Sequence, residues 1–314
     1  MAATHVQPAG QSRPATLVLS GGGAKGAFQV GAERVLREEG GFRWERVLGV
    51  SVGALNGALL GQGRPEDLAE VWRTIREEDV HRKLPWLVVA FRVGILGKRG
   101  LYDDRPLRDL IQRHLAGRPF TVPVHVGRVS LASGLYELVG SDRPEPEFLD
   151  AIWESATMPV VWEPVGPQAW VDGGLRNVTP LGDALGFDPT EIVVILASPR
   201  AIEAVPAPPD LLQVALRALT DITVNEILVS DVREFLRVNR LVLQAAEQGA
   251  TLRDESGRPY RHVPITVVEP EGPMGDTLDF SPDLVRQRVA AGEAAARRAL
   301  AAGPGRDAAG SPVA

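Results

Sequence analysis

The feature that most constrains this chain is the pentapeptide Gly49-Val-Ser-Val-Gly53, which has Ser51 at its centre. Residues 46–50 form a short apolar run that predicts a buried strand, and the small apolar residues 52–60 predict a helix inside the protein. A serine between glycines at a strand-to-helix turn is the pattern of a nucleophile elbow, because glycine tolerates the strained backbone and lets the two elements approach closely. Ser51 Oγ would then be exposed at a helix N-terminus, where the helix dipole favours developing negative charge. The alternative interpretation is a serine that only caps the helix.

A glycine-rich loop in the same kind of position precedes this motif. Residues 16–20 predict a short buried strand, the loop Gly21-Gly-Gly-Ala-Lys-Gly26 follows directly, and residues 27–39 predict a helix. Two strand–loop–helix units so close together favour a parallel sheet with helices on its faces. Because neighbouring parallel strands end at the same edge of a sheet, the loop and Ser51 can meet there.

The glycine-rich loop has three chemical interpretations. A phosphate-binding P-loop needs a lysine after its last glycine, whereas Lys25 precedes Gly26. A dinucleotide-binding loop needs an acidic residue at the end of the second strand, which this chain lacks. The third interpretation is an oxyanion hole, in which consecutive glycines present backbone N–H groups to a negatively charged oxygen. We expect the donors in that case to be Gly21, Gly22 and Gly23, and a tight turn without a ligand remains the alternative.

A single acidic residue leaves a short strand further along the chain, in the segment Ala169-Trp-Val-Asp172-Gly-Gly174. The turn can aim the Asp172 carboxylate, although Asp-Gly is also an ordinary hairpin signal. An unperturbed aspartate has a pKa of about 3.9 and is a poor base near neutrality. Burial beside apolar side chains such as Trp170 would raise that pKa.

Composition excludes several classes of function. The 314-residue chain contains no cysteine, which rules out disulfides, thiol chemistry and cysteine–metal sites. Its net charge is −6 with both signs interspersed, so we expect no nucleic-acid partner. The histidines lack the spacing of a zinc site, and we expect neither a metal nor a cofactor.

The pattern of apolar segments sets our expectations for location and domains. We see no secretory signal and no apolar stretch long enough to span a bilayer, so we expect a soluble, cytoplasmic protein. Residues 1–15 predict a flexible segment, residues 16–302 a single domain whose part 208–302 is mostly helical, and residues 303–314 a disordered tail. Residues 84–99 are apolar with a basic edge and predict either a lid that contacts lipid or a core helix and loop.

The glycine loop, the serine elbow and the Asp-Gly-Gly turn follow one another in the order typical of the patatin-like phospholipase family, which this chain resembles over about residues 17–198. The segment Ser155-Ala-Thr-Met-Pro159 is also similar to the family's segment before its aspartate. Two positions differ from the commonest pattern, since Lys25 replaces a frequent arginine and Thr179 stands before Pro180. The resemblance implies an α/β fold, a three-layer α/β/α sandwich with a mainly parallel central sheet.

The same resemblance implies a lipid acyl hydrolase of the phospholipase A or lysophospholipase type. Ser51 would be the nucleophile and Asp172 the base of a catalytic dyad, while the glycine loop and the N–H of Val52 would bind the oxyanion. The partner would be a lipid or fatty-acyl ester, reached by transient contact with a membrane surface. The remaining motif positions are Lys25, Gly26, Gly49, Gly53, Gly173 and Gly174.

Two other hypotheses stay open at this point. An α/β-hydrolase-like esterase would use a triad of Ser51, Asp172 and His262, the one histidine that follows Asp172 in the chain. A patatin-like protein without turnover would bind a lipid or a protein partner.

Overall fold

The computed structural model describes residues 12–81, 88, 95, 97–202, 204, 214–215 and 217–303. Within these ranges, seven strands form one sheet: β1 (Arg13–Leu19), β2 (Phe42–Val50), β3 (Val124–Ser130), β4 (Tyr136–Gly140), β5 (Trp170–Asp172), β6 (Ile192–Ile195) and β7 (Ile265–Val268).

The α-helices of the described ranges are α1 (Ala27–Glu38), α2 (Val52–Gly61), α3 (Pro65–Thr74), α4 (Glu77–Val80), α5 (Arg105–Leu115), α6 (Glu145–Ser155), α7 (Leu181–Leu185), α8 (Val224–Glu247) and α9 (Pro282–Ala302). Short 3-10 turns cover Gly23–Gly26 and Gly173–Leu175, and a π-helical turn covers Arg217–Thr223.

The strand order is β4-β3-β2-β1-β6-β7, and β5 also pairs with β3. β3, β2, β1, β6 and β7 run parallel to one another, whereas β4 and β5 are antiparallel to β3. The carboxyl ends of the parallel strands therefore share one edge, where the loops after β1 and β2 lie side by side. β5 approaches the end of β3 from the opposite direction and brings Asp172 to the same region.

Alternate side chains of the central strands enter two separate cores. Leu17 and Ile195 are fully buried on one face, against residues of α1, α2, α3, α5, α6 and α9. Val18 and Val194 are fully buried on the other face, against α7 and α8. The strands are apolar on both sides because both faces of a parallel sheet are covered. This confirms the predicted three-layer α/β/α fold with a mainly parallel sheet.

One predicted boundary differs from the structure, and several predicted segments lie outside the described residues. β1 begins at Arg13 rather than Thr16, so residues 13–15 belong to the sheet and not to the predicted N-terminal segment, because β1 pairs with β2 from its first residue. Residues 1–11, residues 304–314 and most of the predicted lid, 82–87, 89–94 and 96, lie outside the described residues. Of the helices that the structure does describe, none has the length and apolar content needed to cross a membrane.

Candidate active site

Ser51 lies at the sharp turn between β2 and α2, with a backbone φ of 57° and ψ of −127°. A Cβ on Gly49 would lie 2.2 Å from the Gly53 carbonyl oxygen, and a Cβ on Gly53 would lie 2.3 Å from the Leu19 carbonyl oxygen. Only glycine fits at both positions, which explains the motif and confirms the strand–turn–helix prediction. Ser51 is 7% exposed rather than freely exposed, because neighbouring loops surround the turn at the base of a cleft.

Asp172 ends β5 and points into the same cleft as Ser51. The Gly174 N–H donates to Asp172 Oδ1 at 2.8 Å, and the Ser51 hydroxyl lies close enough to the Asp172 carboxylate to affect its pKa. Burial raises the pKa of Asp172 to about 6, even though Ser51 and the Gly174 N–H both act to lower it. The direction of this pKa shift is the one that the sequence analysis attributed to burial.

The carboxyl end of α6 connects the serine to the aspartate. The Ser51 N–H donates to Ser155 Oγ at 3.0 Å, and the Asp172 N–H donates to the Thr157 carbonyl oxygen at 2.9 Å. Ser155 is fully buried, so this contact is shielded from water. The sequence marks this segment as a motif, and the tertiary structure shows that it supports both Ser51 and Asp172.

The glycine-rich loop lies directly against Ser51, as expected from the shared strand edge. A Cβ on Gly21 would lie 3.3 Å from Ser51 Cβ. The Gly21 N–H donates to the Val178 carbonyl oxygen at 3.2 Å, so the prediction that Gly21 is an oxyanion donor is wrong for its N–H group. Within the described part of the chain, the N–H groups of Gly22, Gly23 and Val52 donate to no backbone carbonyl, as is normal at the start of a helix.

A buried polar network supports the loop from below. Gln29 Nε2 donates to the Ser20 carbonyl oxygen at 2.8 Å, and Asn56 Nδ2 donates to the Gly26 carbonyl oxygen at 3.1 Å. Asn56 Nδ2 also donates to Gln29 Oε1 at 2.9 Å, and Trp72 Nε1 donates to Asn56 Oδ1 at 2.8 Å. The network therefore fixes both ends of the loop. The sequence signal for this network is Asn56, the one amide side chain in the otherwise apolar helix α2.

An apolar cavity reaches Ser51 from between α2, α3 and α5. Nearly all of its lining is hydrocarbon, with Asn56 and His114 among the few polar side chains. Such walls suit an alkyl chain whose end reaches the serine. Representative lining residues are Leu55, Leu59, Trp72, Leu110, Ile111 and Phe280.

A wider cleft of about 900 Å³ also reaches Ser51 and is more polar. Lys25 lines it next to the glycine loop, and burial lowers the pKa of its ammonium group. Lys25 has no salt-bridge partner among the residues described, although nearby carboxylates oppose the effect of burial on its pKa. The other charged residues of the lining are Glu77, Arg217, Asp221, Asp276 and Asp279.

A buried arginine on α9 supports the wall that both cavities share. Arg288 donates to the carbonyl oxygens of Met274, Asp276 and Asp279, each at 2.8 Å. The loop fixed in this way carries Thr277, whose carbonyl oxygen accepts the N–H of Ala24 at 2.7 Å. Arg288 thus braces the glycine loop through a second loop. It lies in a run of alanines and arginines that gave no sequence signal.

His262 lies far from this constellation. It is exposed and comes three residues before β7, hence at the amino ends of the parallel strands, whereas Ser51 follows the carboxyl end of β2. It lines neither cavity. The structure therefore does not assemble the alternative triad of Ser51, Asp172 and His262. Nor do the described residues contain a cluster of three or more acidic or histidine side chains that could hold a metal ion.

A family model for patatin-like phospholipases matches residues 17–185, which is more than half of the chain. The chain therefore belongs to the patatin-like phospholipase family, as the order of its motifs predicted. Membership in this family supports lipid hydrolase activity in general.

Individual relatives are more distant. The chain is 36% identical to the uncharacterized protein YqhO of Bacillus subtilis strain 168, over 30% of this chain and 35% of that protein. VipD from Legionella pneumophila is 15% identical with a TM-score of 0.46, and the match covers 91% of this chain and 66% of VipD. The type III effector ExoU from Pseudomonas aeruginosa is 16% identical with a TM-score of 0.41, covering 92% of this chain and 53% of ExoU. The chain thus matches about a third of YqhO and between half and two thirds of the two solved chains.

Proposed function

We propose that this protein hydrolyses acyl esters of lipids, in a reaction of the phospholipase A or lysophospholipase type, with Ser51 as nucleophile and Asp172 as base. The observation that carries the proposal is that these two side chains interact where an apolar cavity and a polar cleft meet. A domain that extends from β1 to α9, close to the expected range 16–302, is part of the proposal, because the C-terminal loop braced by Arg288 contacts the glycine loop.

In the first half-reaction, Asp172 accepts the proton of Ser51 Oγ while that oxygen attacks the ester carbonyl carbon. The negative charge that develops on the carbonyl oxygen is stabilised by the N–H groups of Gly22, Gly23 and Val52, which donate to no backbone carbonyl of the described residues. Collapse of the tetrahedral intermediate breaks the ester bond, and the protonated Asp172 gives its proton to the leaving alcohol. Ser51 then carries the acyl group.

In the second half-reaction, Asp172 accepts a proton from water, and the resulting hydroxide attacks the acyl-serine. The same N–H groups hold the second oxyanion, and collapse releases the fatty acid and returns the proton to Ser51 Oγ. A pKa of about 6 suits both steps, because Asp172 is ionised at neutral pH and yet is a stronger base than an ordinary aspartate.

The two cavities support a substrate with an alkyl chain and a polar head group. The apolar cavity would take the acyl chain, and the cleft would take the remainder of the lipid. The position of Lys25 favours a substrate whose head group carries a phosphate. Its ammonium group lies beside the glycine loop and forms no salt bridge with any described residue.

The test is hydrolysis of a soluble chromogenic ester and of lysophosphatidylcholine by the wild type, by Ser51→Ala and by Ser133→Ala. Ser133 is an exposed turn serine that lines neither cavity, so it is a matched control. We expect Ser51→Ala to lose about 10⁴-fold or more in kcat on both substrates, with Ser133→Ala unchanged. A correctly folded wild type that hydrolyses neither substrate would overturn the proposal and favour a lipid-binding protein without turnover.

A further inference from the structure

Several large apolar side chains at the mouth of the polar cleft are exposed to solvent. Ile202 is 48% exposed and Leu219 is 38% exposed, and both line the cleft that reaches Ser51. Ile222, three residues after Leu219 in the same π-helical turn, is 51% exposed. We call these three residues the cleft rim.

The two segments that carry the cleft rim are joined to each other. Asn225 Nδ2 donates to the Pro199 carbonyl oxygen at 3.0 Å, and both of these residues also line the cleft. The segment that contains Ile202 therefore lies against the beginning of α8, beside the turn that contains Leu219 and Ile222. Exposed apolar groups that border a binding cleft are typical of surfaces that meet another apolar phase or partner.

We propose that the cleft rim docks the protein on the surface of a lipid bilayer or micelle. The proposal rests on the proposed function, because Ile202 and Leu219 of the rim line the cleft that contains the Ser51–Asp172 pair. An acyl chain that leaves the lipid layer at this rim can pass toward the apolar cavity at Ser51 without full exposure to water.

The charge of the chain indicates how this docking is driven. With a net charge of −6, the protein gains no general attraction to an anionic membrane. Docking through isoleucine and leucine side chains instead depends on burial of apolar surface. Vesicles of zwitterionic phosphatidylcholine therefore suffice, and addition of anionic phosphatidylglycerol does not strengthen binding.

The same helix provides a matched control. Leu241 and Leu243 on α8 are 45% and 46% exposed, which is close to the exposure of the cleft rim. They line neither cavity, and Leu241 lies about 26 Å along the helix axis from Val224, given a rise of about 1.5 Å per residue. General stickiness of exposed leucines would affect both groups equally.

The absence of cysteine makes a direct experiment possible, because a single introduced cysteine can be labelled selectively. The full chain carrying Ser51→Ala, which cannot turn over lipid, receives either Ile222→Cys or Leu243→Cys, each labelled with an environment-sensitive fluorophore. On addition of phosphatidylcholine vesicles we expect a blue-shifted emission from the label at residue 222 and no change from the label at residue 243. Equal shifts at both positions, or a shift at neither, would overturn the proposal.

A binding measurement on unlabelled protein provides the second test. Co-sedimentation with the same vesicles compares the Ser51→Ala protein with versions that also carry Ile202→Ser, Leu219→Ser and Ile222→Ser, or Leu241→Ser and Leu243→Ser. We expect the rim substitutions to reduce the partition coefficient by about tenfold or more and the control pair to leave it unchanged. Circular dichroism checks that each variant is folded.

Two further outcomes separate this proposal from others. A blue shift at residue 222 that appears on raising the protein concentration without vesicles would show that a second copy of the chain covers the rim, and would overturn lipid docking. If the wild type hydrolyses no ester but the label at residue 222 inserts into vesicles, lipid docking stands and the proposed catalytic function fails.

Discussion

The region that matches the family model, residues 17–185, and the region that follows it contribute to the same site in different ways. The first region supplies the groups proposed to react, namely the elbow serine, the aspartate and the N–H groups of the glycine loop. The second supplies contacts that hold or enclose them, such as the Arg288–loop–Ala24 chain of hydrogen bonds. The comparison teaches that the proposed chemistry lies in short motifs, while access and support come from residues that are distant in sequence.

The largest expected effect compares Asp172, the proposed base in the first region, with His262 in the second region. Asp172→Asn removes the base but preserves the shape of the side chain, so we expect kcat on a soluble ester to fall by about 10³-fold or more. His262→Ala should leave kcat unchanged, because His262 lines neither cavity. A comparable loss in both variants, each verified to be folded, would show that the second region also takes part in the reaction.

The next effect tests the apolar cavity, to which both regions contribute. Leu110→Trp would fill part of it, and each excluded methylene should cost about 0.8 kcal/mol, or about fourfold in kcat/KM. For esters that lose three methylene contacts, we expect kcat/KM relative to a short ester to fall by about 50-fold. Gln112→Trp, on the exposed side of α5, serves as the control. Parallel losses for short and long esters would contradict the assignment of this cavity to the acyl chain.

A smaller effect tests whether Arg288, in the second region, positions the glycine loop of the first region for the proposed reaction. Arg288→Met leaves three carbonyl groups without their donor, of which that of Met274 is buried, so we expect about 3 kcal/mol of lost stability. We also expect kcat of the folded protein to fall about tenfold with little change in KM, because a loosened loop no longer positions the oxyanion donors. Arg288→Lys should restore part of the rate.

The control for this experiment is Arg286→Met, since Arg286 is an exposed arginine on the same helix. Thermal melting and steady-state kinetics are measured on each variant. If Arg288→Met lowers the melting temperature while kcat of the folded protein stays at the wild-type value, the second region contributes stability but not positioning.

The last expected effect is the pH dependence that burial gives to the first region, and its size is close to that of Arg288→Met. With a pKa of about 6, Asp172 loses its basic form as pH falls, so we expect kcat/KM to decrease about tenfold between pH 7 and pH 5. Ser51→Ala removes a hydroxyl group that lowers this pKa, so the carboxyl should titrate higher in that variant, as measured by carbon-13 NMR. A pH–rate profile that is flat down to pH 4.5 would contradict the assignment of Asp172 as the base.

The raised pKa also has a consequence for stability, with a defined sign. Between the ordinary value of 3.8 and about 6, the folded protein binds the Asp172 proton more tightly than the unfolded chain does. Its contribution to stability therefore falls as pH rises through this window and is constant above it. In the first region, burial of the Asp172 carboxylate therefore lowers the stability of the protein at neutral pH. In the second region, the hydrogen bonds of Arg288 stabilise the site.

Several features of the site were predictable because they depend on residues that are close in sequence. The elbow at Ser51 requires glycine two residues before and two residues after it, since the contacts of Gly49 and Gly53 leave no room for a side chain. The direction in which burial would shift the pKa of Asp172 was predictable from the sequence, but that the carboxyl is buried came from the structure. By contrast, the hydrogen bond from the Gly21 N–H to the Val178 carbonyl oxygen joins residues far apart in the chain, and no local pattern could reveal it.

The sequence by itself determined the fold class, the family and the candidate reactive pair, because glycine spacing and apolar strands restrict the backbone over a few residues at a time. Only the tertiary structure decided that Ser51 is enclosed, that Ser155 and Arg288 support the site, and that His262 lies at the opposite edge of the sheet. The physical reason is that these contacts join separate elements of the chain. Their existence depends on how layers pack around the sheet, which short motifs do not encode.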